Sequence, residues 1–229
     1  MDESLRTANL GYAVPSVEQR NRVLRNTYWL LALSMVPTVL GAWIGVSTGV
    51  MTTMGVGMSL IVFMAGAFGF IYAIEKTKNS AAGVPVLLGF TFFMGLMLSR
   101  LIGHVLGFAN GTALIMTAFA GTGGVFLGMA ALSSVIKRDL STMGKFLYIG
   151  AIMLLAAIVL NLFIQSSALF VTIAVLMVGI FSAFIVYDLK RVRDGLETNY
   201  ISATLSIYLD LYNIFQALLS LLGFAGSRD

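Results

Sequence analysis

The sequence predicts an all-α membrane protein, a bundle of seven transmembrane helices with the last helix at its centre. Hydrophobic residues make up 59% of the 229-residue chain and charged residues 10%, against about 45–50% and about 25% in soluble globular proteins. Apolar runs long enough to cross a bilayer recur along the chain. The basic residues lie mostly in short segments between these runs. These observations exclude an ordinary soluble domain.

The N-terminal segment, residues 1–27, is polar and contains four arginines. It lacks the early apolar core of a cleaved signal peptide, so we expect a cytosolic tail that is either flexible or recognised by a partner. One transmembrane domain, 28–224, and a short C-terminal tail, 225–229, follow. The seven spans are each near the ~20 residues that cross ~30 Å of hydrocarbon, and they lie at about 28–48, 54–74, 84–106, 112–136, 146–165, 168–189 and 201–224.

Basic residues alternate between the loops. Twelve of the fourteen lie in the N-terminal segment and after the second, fourth and sixth spans. They are Arg6, Arg20, Arg22, Arg25, Lys76, Lys78, Lys137, Arg138, Lys145, Lys190, Arg191 and Arg193. Because basic loops stay in the cytoplasm, the pattern places the N-terminus there. The net charge of +4 therefore reflects membrane topology, and we expect no nucleic-acid partner.

Two GxxxG patterns occur, Gly41 with Gly45 and Gly124 with Gly128. Such small-residue faces let helices approach closely in lipid. We expect both pairs to pack inside the bundle of a monomer, with homodimerisation as the alternative.

Four ionisable residues lie within the spans: Arg100, His104, Asp188 and Asp210. The first two fall near the outer end of the third span, where their side chains can reach the interface. The aspartates need another explanation, because a charge at bilayer depth costs about 2.5–3.5 kcal/mol on insertion scales. Asn199 lies midway between them, so two antiparallel helices that turn there bring both to about the same level.

A polar stripe follows one face of the last span, because its residues are spaced by three or four. It consists of Ser202, Ser206, Asp210, Asn213, Gln216 and Ser220. Lipid would exclude this face, so the last helix should be central. The stripe either lines an ion pathway or forms interhelical hydrogen bonds without transport.

Two aspartates that face each other in a low-dielectric interior resist being ionised together. Asp188 and Asp210 would then share one proton, titrate as a unit and sense pH. Near neutral pH they could lose that proton and attract a hard cation. Two carboxylates are too few for a tight Ca²⁺ site of 6–8 oxygens, so binding would be weak and transient.

The segments "YDLKRV" and "SIYLDLYNIFQALLSLLGF", at the end of the sixth span and in the seventh, resemble the Bax inhibitor (transmembrane Bax inhibitor motif) family. "VLRNTYWLLALS" and "ETNYISATLSIYLDLYNIF" are most similar to its bacterial YccA-like branch. The resemblance implies six helices around a central seventh, an inner-membrane location, and a pH-sensitive calcium leak through the paired Asp188 and Asp210. It also implies an association with the membrane-bound protease FtsH, in which the N-terminal tail takes part.

The sequence departs from the family in two places. Ser99 and Arg100 stand where the family often has Gly-Pro. Some members also carry an arginine near the end of the second span that pairs with the first aspartate, whereas this segment reads "AIEKTKN". Lys76 or Lys78 would then be the gating counter-charge, without the bidentate fork of an arginine.

Three functions are compatible with these features. The main hypothesis is a calcium leak channel of the inner membrane, gated by protonation of the aspartate pair, with Ca²⁺ as the transported ion and no cofactor. The alternative is a non-enzymatic modulator of FtsH that acts through its tail and transmembrane surface. The third is a presenilin-type aspartyl protease, but the Gly-x-Gly-Asp and Pro-Ala-Leu motifs of that class are absent, so we expect no enzyme.

Overall fold

The computed structural model describes residues 15–226, which form eight helices and no strand. In chain order these are α1 (Val17–Thr48), α2 (Val50–Thr53), α3 (Val56–Thr77), α4 (Gly83–Leu106), α5 (Gly111–Val135), α6 (Ser141–Ile164), α7 (Ser167–Arg193) and α8 (Tyr200–Gly226). All except the one-turn helix α2 are long and apolar enough to cross a membrane. The prediction of an all-α protein with seven spans is confirmed.

Helix α1 begins well before the predicted first span. The Ser16 hydroxyl accepts a hydrogen bond from the Gln19 backbone N–H (3.2 Å), and the Gln19 side chain accepts one from the Ser16 N–H (2.9 Å). This capping box satisfies two N–H groups that a helix start would leave unpaired. The segment predicted to be a tail up to residue 27 therefore ends in three turns of helix, and residues 1–14 lie outside the described part.

Helices α1 and α4 pack with their backbones almost touching. A Cβ atom on Gly41 would overlap the Phe92 carbonyl oxygen, and one on Gly95 would overlap the Thr38 carbonyl oxygen. A Cβ atom on Gly45 would overlap the Ser99 side chain of α4. The prediction that the first GxxxG pair packs inside the bundle is confirmed, and the close approach is the small-residue packing expected in lipid.

The second GxxxG pair behaves differently. No described atom lies within 4 Å of a Cβ built on Gly124 or on Gly128, apart from the local helix and chain neighbours. Helix α5 instead turns Ala118 and Thr122 into the bundle, where both are buried. The prediction that Gly124 and Gly128 pack inside the bundle is therefore wrong, because that face of α5 points outward.

Helix α8 occupies the centre of the bundle. It packs against α1, α3, α4, α5 and α7, whereas α6 packs against α7. Ile207, Tyr208 and Ile214 of α8 are buried in the main core cluster. The Tyr208 hydroxyl lies 2.9 Å from the Thr38 hydroxyl of α1. The prediction of a central last helix is confirmed.

Asn199 determines where α8 begins. Its Oδ1 accepts hydrogen bonds from the backbone N–H groups of Ile201 (2.9 Å) and Ser202 (3.1 Å). Its Nδ2 donates to the Lys78 carbonyl (3.1 Å) and to Asn79 Oδ1 (2.8 Å). One side chain therefore caps the central helix and ties it to the loop between α3 and α4.

One end of the bundle carries the basic loops. Arg20 Nη1 at the start of α1 donates to the Arg193 carbonyl at the end of α7 (3.4 Å), so these two helix termini lie side by side. We call this the basic end, and its loops are residues 78–82, 136–140 and 194–199.

Replacing Gly41 with Ala should destabilise the bundle, because the added methyl overlaps the α4 backbone, which cannot rotate away. Overpacking of this kind costs about 1–3 kcal/mol. The change is measured as a lower thermal unfolding midpoint in detergent. Gly124→Ala is the matched control, and it should be neutral or slightly stabilising, because its face is open and alanine favours helix. Equal midpoints for the two variants would contradict the close α1–α4 approach.

Candidate functional site

Asp188 and Asp210 lie together where the α7–α8 hairpin is buried near the basic end. Their side chains come from neighbouring antiparallel helices and are close enough to interact electrostatically. Asp188 is 7% exposed and Asp210 is 5% exposed. The hairpin thus brings the two predicted carboxyl groups into one site, while their roles in pH sensing and in holding Ca²⁺ stay predictions.

Arg191 supplies the positive charge at Asp188. Its Nη1 lies 3.7 Å from Asp188 Oδ1, and its Nη2 lies 4.0 Å from Glu197 Oε2. The guanidinium also lies over the Tyr187 ring, 5.7 Å from the ring centroid. Because Arg191 is 32% exposed, it can leave the carboxyl more easily than a fully buried partner could.

Asp210 has no such partner. Its Oδ2 atom is buried and makes no hydrogen bond within the part of the chain that the structure describes. The Ser202 hydroxyl lies two turns earlier on the same face of α8. It too is buried and makes no hydrogen bond within the described residues. Leaving a buried polar atom unsatisfied costs about 1–3 kcal/mol. An oxygen in this position is suited to hold a proton, a water molecule or a cation.

The rest of the polar stripe divides into two parts. Ser206 is half-buried one turn before Asp210, and Asn213 is also half-buried but donates to the Leu209 carbonyl of its own helix (2.8 Å). Gln216 and Ser220 line a cavity of about 250 Å³ between α6, α7 and α8. This cavity does not include Asp210.

Asn161 of α6 also lines this cavity, although the spacing of polar residues did not predict a place for it in the site. Its Oδ1 accepts a hydrogen bond from the Ser166 backbone N–H (3.0 Å). A lone Asn near a helix end carries no periodic signal, and only the packing of α6 beside α7 reveals its place.

The predicted counter-charges lie elsewhere. Lys78 pairs with Glu75, and the Lys76 ammonium lies over the Tyr72 ring, 5.6 Å from its centroid. Within residues 15–226, the cation in ion-pair distance of Asp188 is Arg191. The spacing of Asp188 and Arg191 could have indicated this pair, since residues three apart on a helix are neighbours.

Arg100 and His104 lie towards the end opposite the basic end. Arg100 Nη1 donates to the Met54 carbonyl (3.5 Å) and to the Ser59 hydroxyl (3.4 Å), so it holds the connection between α2 and α3. His104 is exposed, and its ring lies edge-on to Phe108 at a centroid distance of 5.2 Å. Within residues 15–226 there is no group of three His, Cys, Asp or Glu side chains that could hold a metal ion.

Replacing Arg191 with Gln should destabilise the protein at neutral pH, because it leaves the buried Asp188 without its ion pair. Breaking a fully buried pair costs about 3–5 kcal/mol, and we expect about 1–2 kcal/mol because Arg191 is partly exposed. The thermal unfolding midpoint measures the loss. Adding Asp188→Asn to this variant should restore most of it. Arg193→Gln removes the same charge two residues farther along α7. If it costs as much, the ion pair with Asp188 is not the cause of the destabilisation.

A family model and several known proteins are similar to this chain over most of its length. The model of the family described as inhibitor of apoptosis-promoting Bax1 matches residues 20–227. A membrane protein of Vibrio cholerae is 36% identical over 215 residues, which cover 92% of this chain and 93% of its own. A protein of Escherichia coli K12 named "Modulator of FtsH protease YccA" is 36% identical over 214 residues, which cover 93% of this chain and 94% of its own.

Proposed function

Because the chain belongs to the Bax inhibitor family of membrane proteins, we propose that it is a non-catalytic modulator of a membrane-bound FtsH-type protease in the bacterial inner membrane. The observation that carries this proposal is the 36% identity with the E. coli modulator over 93% of the chain. The family model matches residues 20–227, which include the membrane-crossing parts of all seven spans and the basic end, so a partner surface on any of them can be shared.

The start of α1 is the most suitable partner surface. Helix α1 has 32 residues, whereas ~20 cross the hydrocarbon. Its first turns therefore project beyond the bilayer at the basic end, capped by Ser16 and tied to α7 through Arg20. A protease that draws its substrates from the same side of the membrane would meet this rigid projection together with the segment that precedes it.

Deleting residues 1–14 should abolish modulation and leave the bundle folded, because the deletion keeps the Ser16 cap. The test co-reconstitutes the protease, a membrane substrate and this protein in vesicles, and it measures the substrate half-life. The full chain should change the half-life at least twofold relative to vesicles without it, and the shortened chain should not. Asp210→Asn is the control and should modulate like the wild type. If the shortened chain changes the substrate half-life as much as the full chain does, residues 1–14 take no part in modulation.

A second function is favoured by the unpartnered Asp210 oxygen beside Asp188. We propose that the pair also supports a weak, pH-dependent cation leak. With a proton on the pair, the site attracts cations little. As pH rises and the proton leaves, the added negative charge attracts a hard cation such as Ca²⁺, in competition with Arg191. Two carboxylates hold it weakly enough for release.

The cavity at Gln216 and Ser220 is the natural continuation of such a path towards the other membrane face. Between it and Asp210 lies the turn that carries Asn213, whose amide is bonded to its own helix. We therefore propose that conduction requires this turn to move, and that the arrangement described here is closed.

The leak should rise as pH increases from about 6 to about 8, a range reached by carboxyl groups in buried like-charge pairs. Purified protein in vesicles with an internal calcium dye measures it. Asp210→Asn should remove most of the pH dependence. Glu18→Gln is the matched control, since Glu18 is an exposed acid at the same end, 3.6 Å from the exposed Arg22, and it should behave like wild type. If wild-type vesicles leak no faster than empty ones at any pH, this second function fails and the protease proposal stands alone.

A further inference from the structure

A surface depression of about 420 Å³ lies along the first turns of α1, lined by Asn21, Leu24, Arg25, Tyr28 and Trp29. Its level in the membrane follows from the length of α1. About 20 residues cross the hydrocarbon, so counting back from Thr48 places the bilayer boundary near Trp29. The depression therefore lies where lipid headgroups meet the hydrocarbon, at the basic end.

The lining matches a ligand that is polar and anionic at one side and apolar at the other. Arg25 and Asn21 provide hydrogen-bond donors on the side away from the bilayer, and both are exposed. Trp29 is 74% exposed and lies one turn deeper, the position that aromatic belts take at the ester level of lipids. An arginine fork fits phosphate oxygens.

Neighbouring helices hold the depression in place. The Tyr28 ring packs edge-on against Phe126 of α5 at a centroid distance of 6.1 Å. Arg193 at the end of α7 is close enough to act electrostatically on the Tyr28 hydroxyl. A second positive charge therefore lies within range of the same depression.

The acidic groups nearby are already engaged. Glu18, one turn before Asn21 on α1, lies 3.6 Å from Arg22. Asp194, beside Arg193, is paired with Lys190. Arg25 has no ion pair or hydrogen bond within residues 15–226. Its guanidinium is thus available to an anion from outside the protein.

We propose that this depression binds the phosphate headgroup of an anionic phospholipid, with Arg25 as the phosphate ligand and Trp29 against the upper acyl chains. This site does not include the aspartate pair. It adjoins the proposed protease contact on the first turns of α1, but its argument does not rest on that contact. Its occupant fixes the height of α1 in the bilayer, and with it the projection of the first turns beyond the membrane.

The two tryptophans make the test specific, since the chain contains only Trp29 and Trp43. In a Trp43→Phe background, Trp29 is the sole tryptophan of the full-length protein. Vesicles of phosphatidylcholine receive an equal fraction of either brominated phosphatidylglycerol or brominated phosphatidylcholine, and the quenching of Trp29 is compared. We expect the anionic lipid to associate about fivefold more strongly, the factor that one arginine contributes near a membrane surface.

Arg25→Gln should reduce that preference towards one, while Arg22→Gln, with the same charge removed one turn farther from the bilayer, should keep it. The complementary Trp29→Phe protein, which reports from Trp43, should show no preference. Equal quenching by both lipids would overturn the proposal. Equal loss in the two arginine variants would also overturn it, because the attraction would then come from diffuse surface charge. If inorganic phosphate with zwitterionic vesicles changes Trp29 emission as the anionic lipid does, the ligand is free phosphate and the lipid assignment is wrong.

Discussion

The polar face of α8 must be kept out of lipid, and most of the architecture follows from that requirement. A carboxyl, two amides and several hydroxyls lie along one helix that is long enough to span the bilayer. At bilayer depth each exposed polar group would be costly. The remaining helices therefore enclose α8, and α1 and α4 approach each other closely enough that only glycine fits at Gly41 and Gly95. The same enclosure buries Asp210 and gives it Asp188 as its neighbour.

The bundle is asymmetric along its axis. Near the basic end, the aspartate pair, Arg191 and Glu197 form a charged cluster, and the projecting start of α1 lies beside the end of α7. Towards the opposite end, the polar groups around Gln216 are uncharged and border a cavity. We propose that protein partners and anionic lipid headgroups meet the charged end, whereas an ion pathway would need both ends of the bundle. A protease contact and a cation leak can therefore coexist in one molecule without sharing residues.

Much of this arrangement could be predicted from the sequence, because hydrophobicity and loop charge determine the number of spans and the polar residues of the last span indicate its central position. The stripe itself is less buried than its pattern suggests, since Asp210 is buried and its other five residues are half-buried. Rotation about the other helix axes could not be predicted. The two GxxxG pairs look alike in sequence, yet Gly41 meets α4 and Gly124 faces outward. Packing against neighbours sets that rotation, and it leaves no periodic pattern in a helix that is apolar all round.

Local signals were present for two other features. Ser16 and Gln19 have the spacing of a capping box, which indicates a helix start at Val17. This local signal is a better guide to the structure there than the polar composition, which suggested a tail. The pairing of Asp188 with Arg191 follows from a three-residue spacing on α7. Family resemblance directed attention to α3 for the counter-charge, whereas the nearer arginine lies on the same helix as the aspartate.

We propose that this protein binds an FtsH-type protease directly, through the start of α1 that projects beyond the bilayer. The most direct measurement is a binding titration between the purified full-length chain and the protease in lipid nanodiscs. We expect saturable association that exceeds that of an unrelated seven-span protein, and equal affinity for the Asp210→Asn variant. Association no stronger than that of the unrelated protein would contradict it.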